Sequence, residues 1–333
     1  MSKSSMRDVA NHAGVSIATV SHVLNNTRYV ADETRNRVLE SIRVLEYTPD
    51  VMARSFKTGR RNLVGFIVPD IANEYFATII ETIESIISKK NYKLVIANTR
   101  ETKQRELENL RVLGNGIVDG IIIASTLDQY AELENTVPSD IPLLFVDRKL
   151  SGCPHSTIIV SSYDAMYKGV ERLIRDGHSR IGYITGLARL STTVDRLDAY
   201  RAAMEANHLP VEESFVRFGD SLRSNIAQHL NALLEAGCTA LVVSNNVMAD
   251  EVLFHLTERG MQPGIDIALL GYNDSAHLQY NMRNIHYITQ PATDLGRTAG
   301  QQILELLEEP NLPVRNTILQ ATFMSYESRV SSK

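Results

Sequence analysis

Cysteine is scarce in this chain. Two residues among 333, Cys153 and Cys238, exclude a disulfide framework or a cysteine zinc site. The expectation is buried or inert thiols in a reducing compartment. Long apolar runs are absent too: no stretch approaches the roughly 18–20 unbroken apolar residues of a membrane-spanning helix. The N-terminal MSKSSMRDVANHAG has no apolar run after its basic residues, which is not the pattern of a secretory signal. Catalytic signatures are missing as well. There is no Walker A lysine loop, no HExxH among the nine histidines and no GxSxG elbow. GNGIVDG (114–120) is glycine-rich but lacks dinucleotide spacing and opens no helix after a strand. A cytoplasmic binding protein with no metal and no resident cofactor is expected, not an enzyme.

What is present describes a globular chain of about two or three domains, 44% apolar and 22% charged. The net charge of −5 hides an asymmetry. Residues 1–62 hold ten Lys/Arg against six Asp/Glu, a charge of +4, and the remainder carries −9. A small basic head on a large acidic body suits a DNA-binding module joined to something that does not bind DNA.

The head reads as three short helices. Val9, Ala10 and Ala13 form an apolar stripe at helical spacing, and Ala13-Gly14-Val15-Ser16 makes a tight turn. Ser16 is placed to cap the next helix, from which Val20, Val23 and Leu24 face inward. Asp32 opens a third helix with Val38, Ile42 and Leu45 on one face. This is the outline of a helix-turn-helix, whose second helix enters the DNA major groove. Pro49 and Gly59 then bracket two turns of helix. A helix so short is rarely stable alone, so this one is expected to form conditionally, on DNA or a partner helix.

From Leu63 the pattern changes. Short apolar runs at 63–70, 92–99, 119–126 and 142–148 alternate with helical stretches, and a second series follows at 180–186, 213–220, 240–246 and 266–274. Such alternation implies an α/β fold with doubly wound parallel sheets covered on both faces, in two tandem subdomains. Several strands end in polar groups, and ligands bind at the carboxyl ends of strands in open parallel sheets. A cleft at these tips is expected.

The ordered set DVANHAGVSIATVSHVLNN, VADETRNRVLESI, YTPDVMARSFKTG, LVGFIVPDIANEYFATI, VDGIII, RDGHSRIGYITG and DIALLGYND followed by ITQP resembles the lactose-repressor/galactose-repressor (LacI/GalR) family of bacterial transcription regulators. The head is most similar to the purine-repressor branch. The resemblance implies a homodimer on a pseudo-palindromic operator, with a periplasmic-binding-protein-like body that holds a small effector between its subdomains. It implies a headpiece at 1–46, a hinge helix and linker at 47–61, and an effector-binding and dimerisation domain at 62–333. Within that domain the N-subdomain takes 62–160 and 291–320, and the C-subdomain 161–290 and 321–333. The strand near HYITQPATDLG is expected to return to the first subdomain. No leucine heptads follow the body, which favours a dimer over a tetramer.

By the same resemblance, Ile17, Ala18 and His22 occupy base-reading positions. The first two would sense thymine methyls, and His22 a guanine N7 or O6 edge; the alternative is an ordinary surface histidine. Ser16, Thr19, Ser21, Asn25, Thr34 and Tyr47 match phosphate-contacting positions, although Thr19 and Ser21 could only shape the helix surface. In the hinge, Phe56 stands where most members carry a leucine wedge, with Arg54 and Lys57 supplying charge; packing of Phe56 on the body is the alternative. The cleft is expected to include Asn73, Tyr75, Phe76, Thr126, Arg148, Arg196, Asn246 and Asn273. For Tyr75 and Phe76 the alternative is core packing, and for Arg196 a surface ion pair with Asp195 or Asp198. Asn246, Asn273 and Ser161 stand where many members carry Asp. Together with Arg148 and Arg196, these neutral residues lead to the expectation of an anionic effector, a sugar acid or sugar phosphate.

Overall fold

The computed structural model describes residues 4–25, 27–47, 60–136, 141–219, 225–272 and 285–325, with the side chain of Asn25 excepted. The expected hinge helix, with Asp50, Arg54, Phe56 and Lys57, and the cleft residue Asn273 lie outside the described residues. The chain divides into two compact units, residues 1–61 and 62–333.

The first unit holds helices α1 (Met6–Ala13), α2 (Ile17–Asn25) and α3 (Asp32–Val44). Ser5 and Asp8 form a reciprocal cap at the start of α1, which satisfies amide donors that the first turn leaves without partners. These hydrogen bonds from Ser5 hold the Asp8 carboxyl below its usual range. Gly14 stops the helix in the left-handed region, φ 65°, where a side chain would be strained. Val9, Ala10, Ala13, Val20, Val23, Val38 and Tyr47 are buried together as the core.

The second unit contains β1 (Leu63–Val68), α4 (Glu74–Ile87), β2 (Lys93–Asn98), α5 (Lys103–Gly114), β3 (Gly120–Ile123), β4 (Leu143–Asp147), β5 (Ser156–Ser161), α6 (Tyr163–Arg175), β6 (Ile181–Thr185), α7 (Ser191–Ala206), β7 (Val216–Phe218), α8 (Ile226–Glu235), β8 (Ala240–Val243), α9 (Asn246–Glu258), β9 (Ala268–Tyr272), β10 (His286–Thr289), α10 (Ala292–Glu308), β11 (Asn316–Gln320) and β12 (Thr322–Met324). They build two six-stranded sheets, ordered β11-β5-β4-β3-β1-β2 and β12-β10-β9-β8-β6-β7. All the pairings are parallel except that of β10 with β12.

Each sheet is apolar on both faces because helices cover both. Phe66 and Leu144 face α4 and α10, whereas their neighbours Ile67 and Phe145 face the side of α5. In the second sheet Tyr183 and Val242 meet α6 and α7, and Ile184 and Val243 meet α8 and α9. Helices α4 and α10 pack very closely where Gly296 and Gly300 lie against Thr82 and Ile86. Cys238 is buried in the second lobe, and burial pushes its thiol up to about 11.

The chain crosses between the lobes after β5, after β10 and after β11. This corrects one expectation. The strand β10 of HYITQPATDLG stays in the second sheet, paired with β9; the return begins with α10, which packs on the first sheet. The strand β5 and the edge strands β11 and β12 have no counterpart among the apolar runs.

Candidate functional sites

In the first unit, the Ser16 hydroxyl accepts from the Thr19 amide at 3.1 Å and lies 2.9 Å from the Thr19 hydroxyl. The capping role expected of Ser16 is therefore present, and both hydroxyls sit at the tip of α2. Ile17 and Ala18 are exposed, and His22 is half-exposed one turn beyond Ala18. These residues lie opposite Val20 and Val23, which face the core, so α2 offers one outward face. Ser21 and Thr34 are half-exposed. Tyr47 differs from a freely exposed contact residue, because its ring is 9% exposed and packs in the core.

In the second unit, strand tips and helix starts from both lobes line one cleft. Pro69, Asp70, Asn73, Tyr75, Phe76, Asp147 and Arg148 come from the first lobe; Leu190, Thr193, Arg196, Ser244, Asn245 and Asn246 come from the second, with Gln290 in a crossover. Asn73 caps α4, its side-chain oxygen accepting from the Tyr75 amide at 2.9 Å. Its amide also meets that of Asn246 across the cleft, in two reciprocal hydrogen bonds of 2.8 and 3.2 Å. The lobes touch again where the Lys149 amide donates to the Ser191 hydroxyl at 2.9 Å.

The charged groups of the cleft are nearly all paired. Arg148, at the tip of β4, donates to both carboxylate oxygens of Glu101 at 2.6 and 2.9 Å and to the Ser125 carbonyl at 3.1 Å. Burial works against its charge, but Glu101 and Asp147 outweigh it and raise its pKa. Asp147 accepts from the Tyr75 hydroxyl at 2.8 Å. Burial raises its pKa, opposed by Arg148, the Tyr75 hydrogen bond and Arg196. Asp147 also has φ 72°, a strained conformation for a non-glycine residue and one that clusters at ligand sites.

Arg196 is buried on α7. Its guanidinium lies 4.2 Å from the centre of the Tyr272 ring, a cation–π arrangement. It donates to the Ser244 carbonyl and, at 2.9 Å, to the Gln290 side chain, while its Nε has no protein partner. It is therefore not a surface ion pair with Asp195 or Asp198; Asp195 instead accepts from the Ser162 amide at 3.2 Å. Tyr75 and Phe76 both line the cleft and both pack in the first-lobe core, edge to face at 5.2 Å.

Thr126 is a departure. Its hydroxyl and amide both donate to the buried Glu106, the amide at 2.6 Å, and it does not line the cleft. Glu101, Asp147 and Gln290 line the cleft beyond the expected residues, and Tyr272 holds Arg196 without lining it. Asp147 had a signal, as a polar group ending an apolar strand. Glu101 had none, since it lies 47 positions from its partner Arg148. Among the described residues, no cluster of three His, Cys, Asp or Glu side chains could hold a metal ion.

Residues 5–50 match the family described as bacterial regulatory proteins, lacI family, and residues 170–328 match the periplasmic binding protein-like domain. The HTH-type transcriptional repressor PurR of Vibrio campbellii is 30% identical over 94% of this chain and 98% of its own. The ribose operon repressor of Bacillus subtilis is 30% identical over 95% of this chain and 94% of its own. Among solved structures, the lac repressor dimer bound to operator and the anti-inducer ONPF is similar over 97% of this chain and 98% of that one, with a TM-score of 0.82 and 25% identity. The chain belongs to the lacI family of bacterial regulatory proteins, DNA-binding transcriptional repressors rather than enzymes.

Proposed function

We propose that this chain is a homodimeric repressor whose grip on a pseudo-palindromic operator is set by a small sugar-like effector in the cleft. The observation that carries this reading is the buried Arg196. Its position is set by Tyr272, Ser244 and Gln290, and one donor remains without a partner in a cleft lined by both lobes. An effector touching both lobes changes their relative stability in open and closed forms, and so shifts the population competent to bind DNA.

A polyhydroxylated ring suits such a lining, offering hydroxyls to Asp147 and Asn246 and an acceptor to Arg196. Of the two arginines expected to receive an anion, Arg148 is committed to Glu101. With Arg148 and Glu101 offsetting each other, a carboxylate or phosphate on the effector would meet Arg196 alone, with Asp147 opposing it in the same cleft. The charge balance therefore favours a neutral sugar over a sugar phosphate.

Dimerisation is supported by an apolar groove along the outer edge of the first sheet. There Ile71 and Ile96 are 52% and 44% exposed beside Ala77 and Ile80, an unpaired edge of the kind that a second copy covers. Operator binding places the working protein in the cytoplasm.

The test is selection of binding sites from a randomised palindromic DNA pool, repeated with neutral sugars, sugar acids and sugar phosphates. One selected sequence, affinity falling steeply with salt, and a response to one sugar class are expected. Binding that is indifferent to sequence and to every sugar would overturn the reading.

A further inference from the structure

His22 and Thr27 meet just beyond α2, where His22 Nδ1 lies 2.9 Å from the Thr27 hydroxyl oxygen. That contact commits one ring nitrogen and leaves Nε2 for a base edge. A neutral imidazole has one donor nitrogen and one acceptor, so whatever Nδ1 does decides what Nε2 can do. Guanine presents only acceptors, N7 and O6, on its major-groove edge. A neutral ring that reads guanine therefore carries its hydrogen on Nε2 and has a bare Nδ1, which is matched by a donor.

We propose that Thr27 is a positioning residue for base reading, its hydroxyl donating to His22 Nδ1 and holding the ring in the form whose Nε2–H faces the DNA. The reverse arrangement, with Nδ1–H donating to Thr27, would leave Nε2 an acceptor, suited to the amino group of cytosine or adenine. Thr27 thus selects between two base preferences without touching a base. It also fixes the rotation of a ring that is otherwise only half-packed, so less rotational freedom is lost on binding. Ile17 and Ala18, which carry no hydrogen-bonding group, cannot supply this discrimination, and it falls to His22.

The inference rests on His22 reading a base, and the experiment separates the two. Binding of the full-length protein to its pool-selected operator is compared with binding to every single-base variant, for wild type, Thr27→Val, Thr27→Ser, His22→Ala and the double variant Thr27→Val/His22→Ala. Thr27→Val is expected to lower discrimination at one base pair per half-site by about threefold to tenfold, the range of one neutral hydrogen bond. Thr27→Ser should retain it, and Thr27→Val should change nothing further in the His22→Ala background. Nitrogen NMR of the ring in the DNA complex should show a bare Nδ1 in wild type. The proposal fails if Thr27→Val weakens all sequences equally, as loss of a phosphate contact would, or acts undiminished without His22. Unchanged base preference in His22→Ala would instead remove the base-reading role itself.

Discussion

Arg148 and Glu101 form a buried pair, 7% and 4% exposed at their side chains. Such a pair adds little net stability, because desolvation offsets attraction, but removing one partner leaves a charge without water or counterion. Glu101→Ala is therefore expected to lower unfolding free energy by about 3–5 kcal/mol, read from urea midpoints. Glu106 behaves differently. Burial raises its pKa despite hydrogen bonds from Ser125 and Thr126, so the folded state holds its proton more tightly than the unfolded chain does. Its contribution to stability is present at low pH and is lost as pH rises from about 4 through the raised value. Glu106→Gln should make stability fall less steeply with pH over that window than in wild type; an unchanged slope would show the carboxyl ionises freely. Neither Glu101 nor Glu106 was legible as a site residue, since each finds its partners through strand order rather than sequence neighbourhood.

At the scale of elements, the contact between α4 and α10 offers a sharp test. A Cβ at Gly296 would sit 2.7 Å from Thr82 Cβ and 3.0 Å from the Ile79 carbonyl oxygen. Alanine improves intrinsic helix propensity by about 1 kcal/mol, whereas forcing packed helices apart costs about 1–3 kcal/mol. The clash involves backbone and a β-branched side chain, so it should win, and Gly296→Ala should lower the melting temperature. The elements themselves were unevenly legible. Three helices of the first unit and eight apolar strands of the second carry local signals: caps, a 3.6-residue stripe, or unbroken β-branched runs. β5 alternates between buried and half-exposed residues and β11 between half-exposed and exposed ones, and β12 is three residues long at a sheet edge. The edge strands β11 and β12 need no continuous apolar run, and the half-exposed positions of β5 interrupt one, so the signals of all three are weak.

For the whole molecule, the groove at Ile71, Ile80 and Ile96 should decide the assembly. Ile96→Glu places a charge on an exposed sheet edge, where it leaves the monomer's core intact but opposes burial against a second copy. Sedimentation should show a dimer for wild type and a monomer for the variant, with operator affinity reduced at least tenfold because both half-sites must be held together. A variant that remains dimeric would move the interface elsewhere.

Sequence alone determined the class of this protein. The order of capped helices, apolar strands and polar strand tips is local information, and it was sufficient to mark a DNA-reading head on a two-lobed body. Tertiary structure decided which charges in the cleft are available. Arg148 looks free until Glu101 is brought beside it, and Thr126 looks like a cleft residue until Glu106 takes both its donors. The physical reason is that a buried polar group must be satisfied by whatever the fold places next to it. That partner is chosen by sheet order and crossovers, not by distance along the chain.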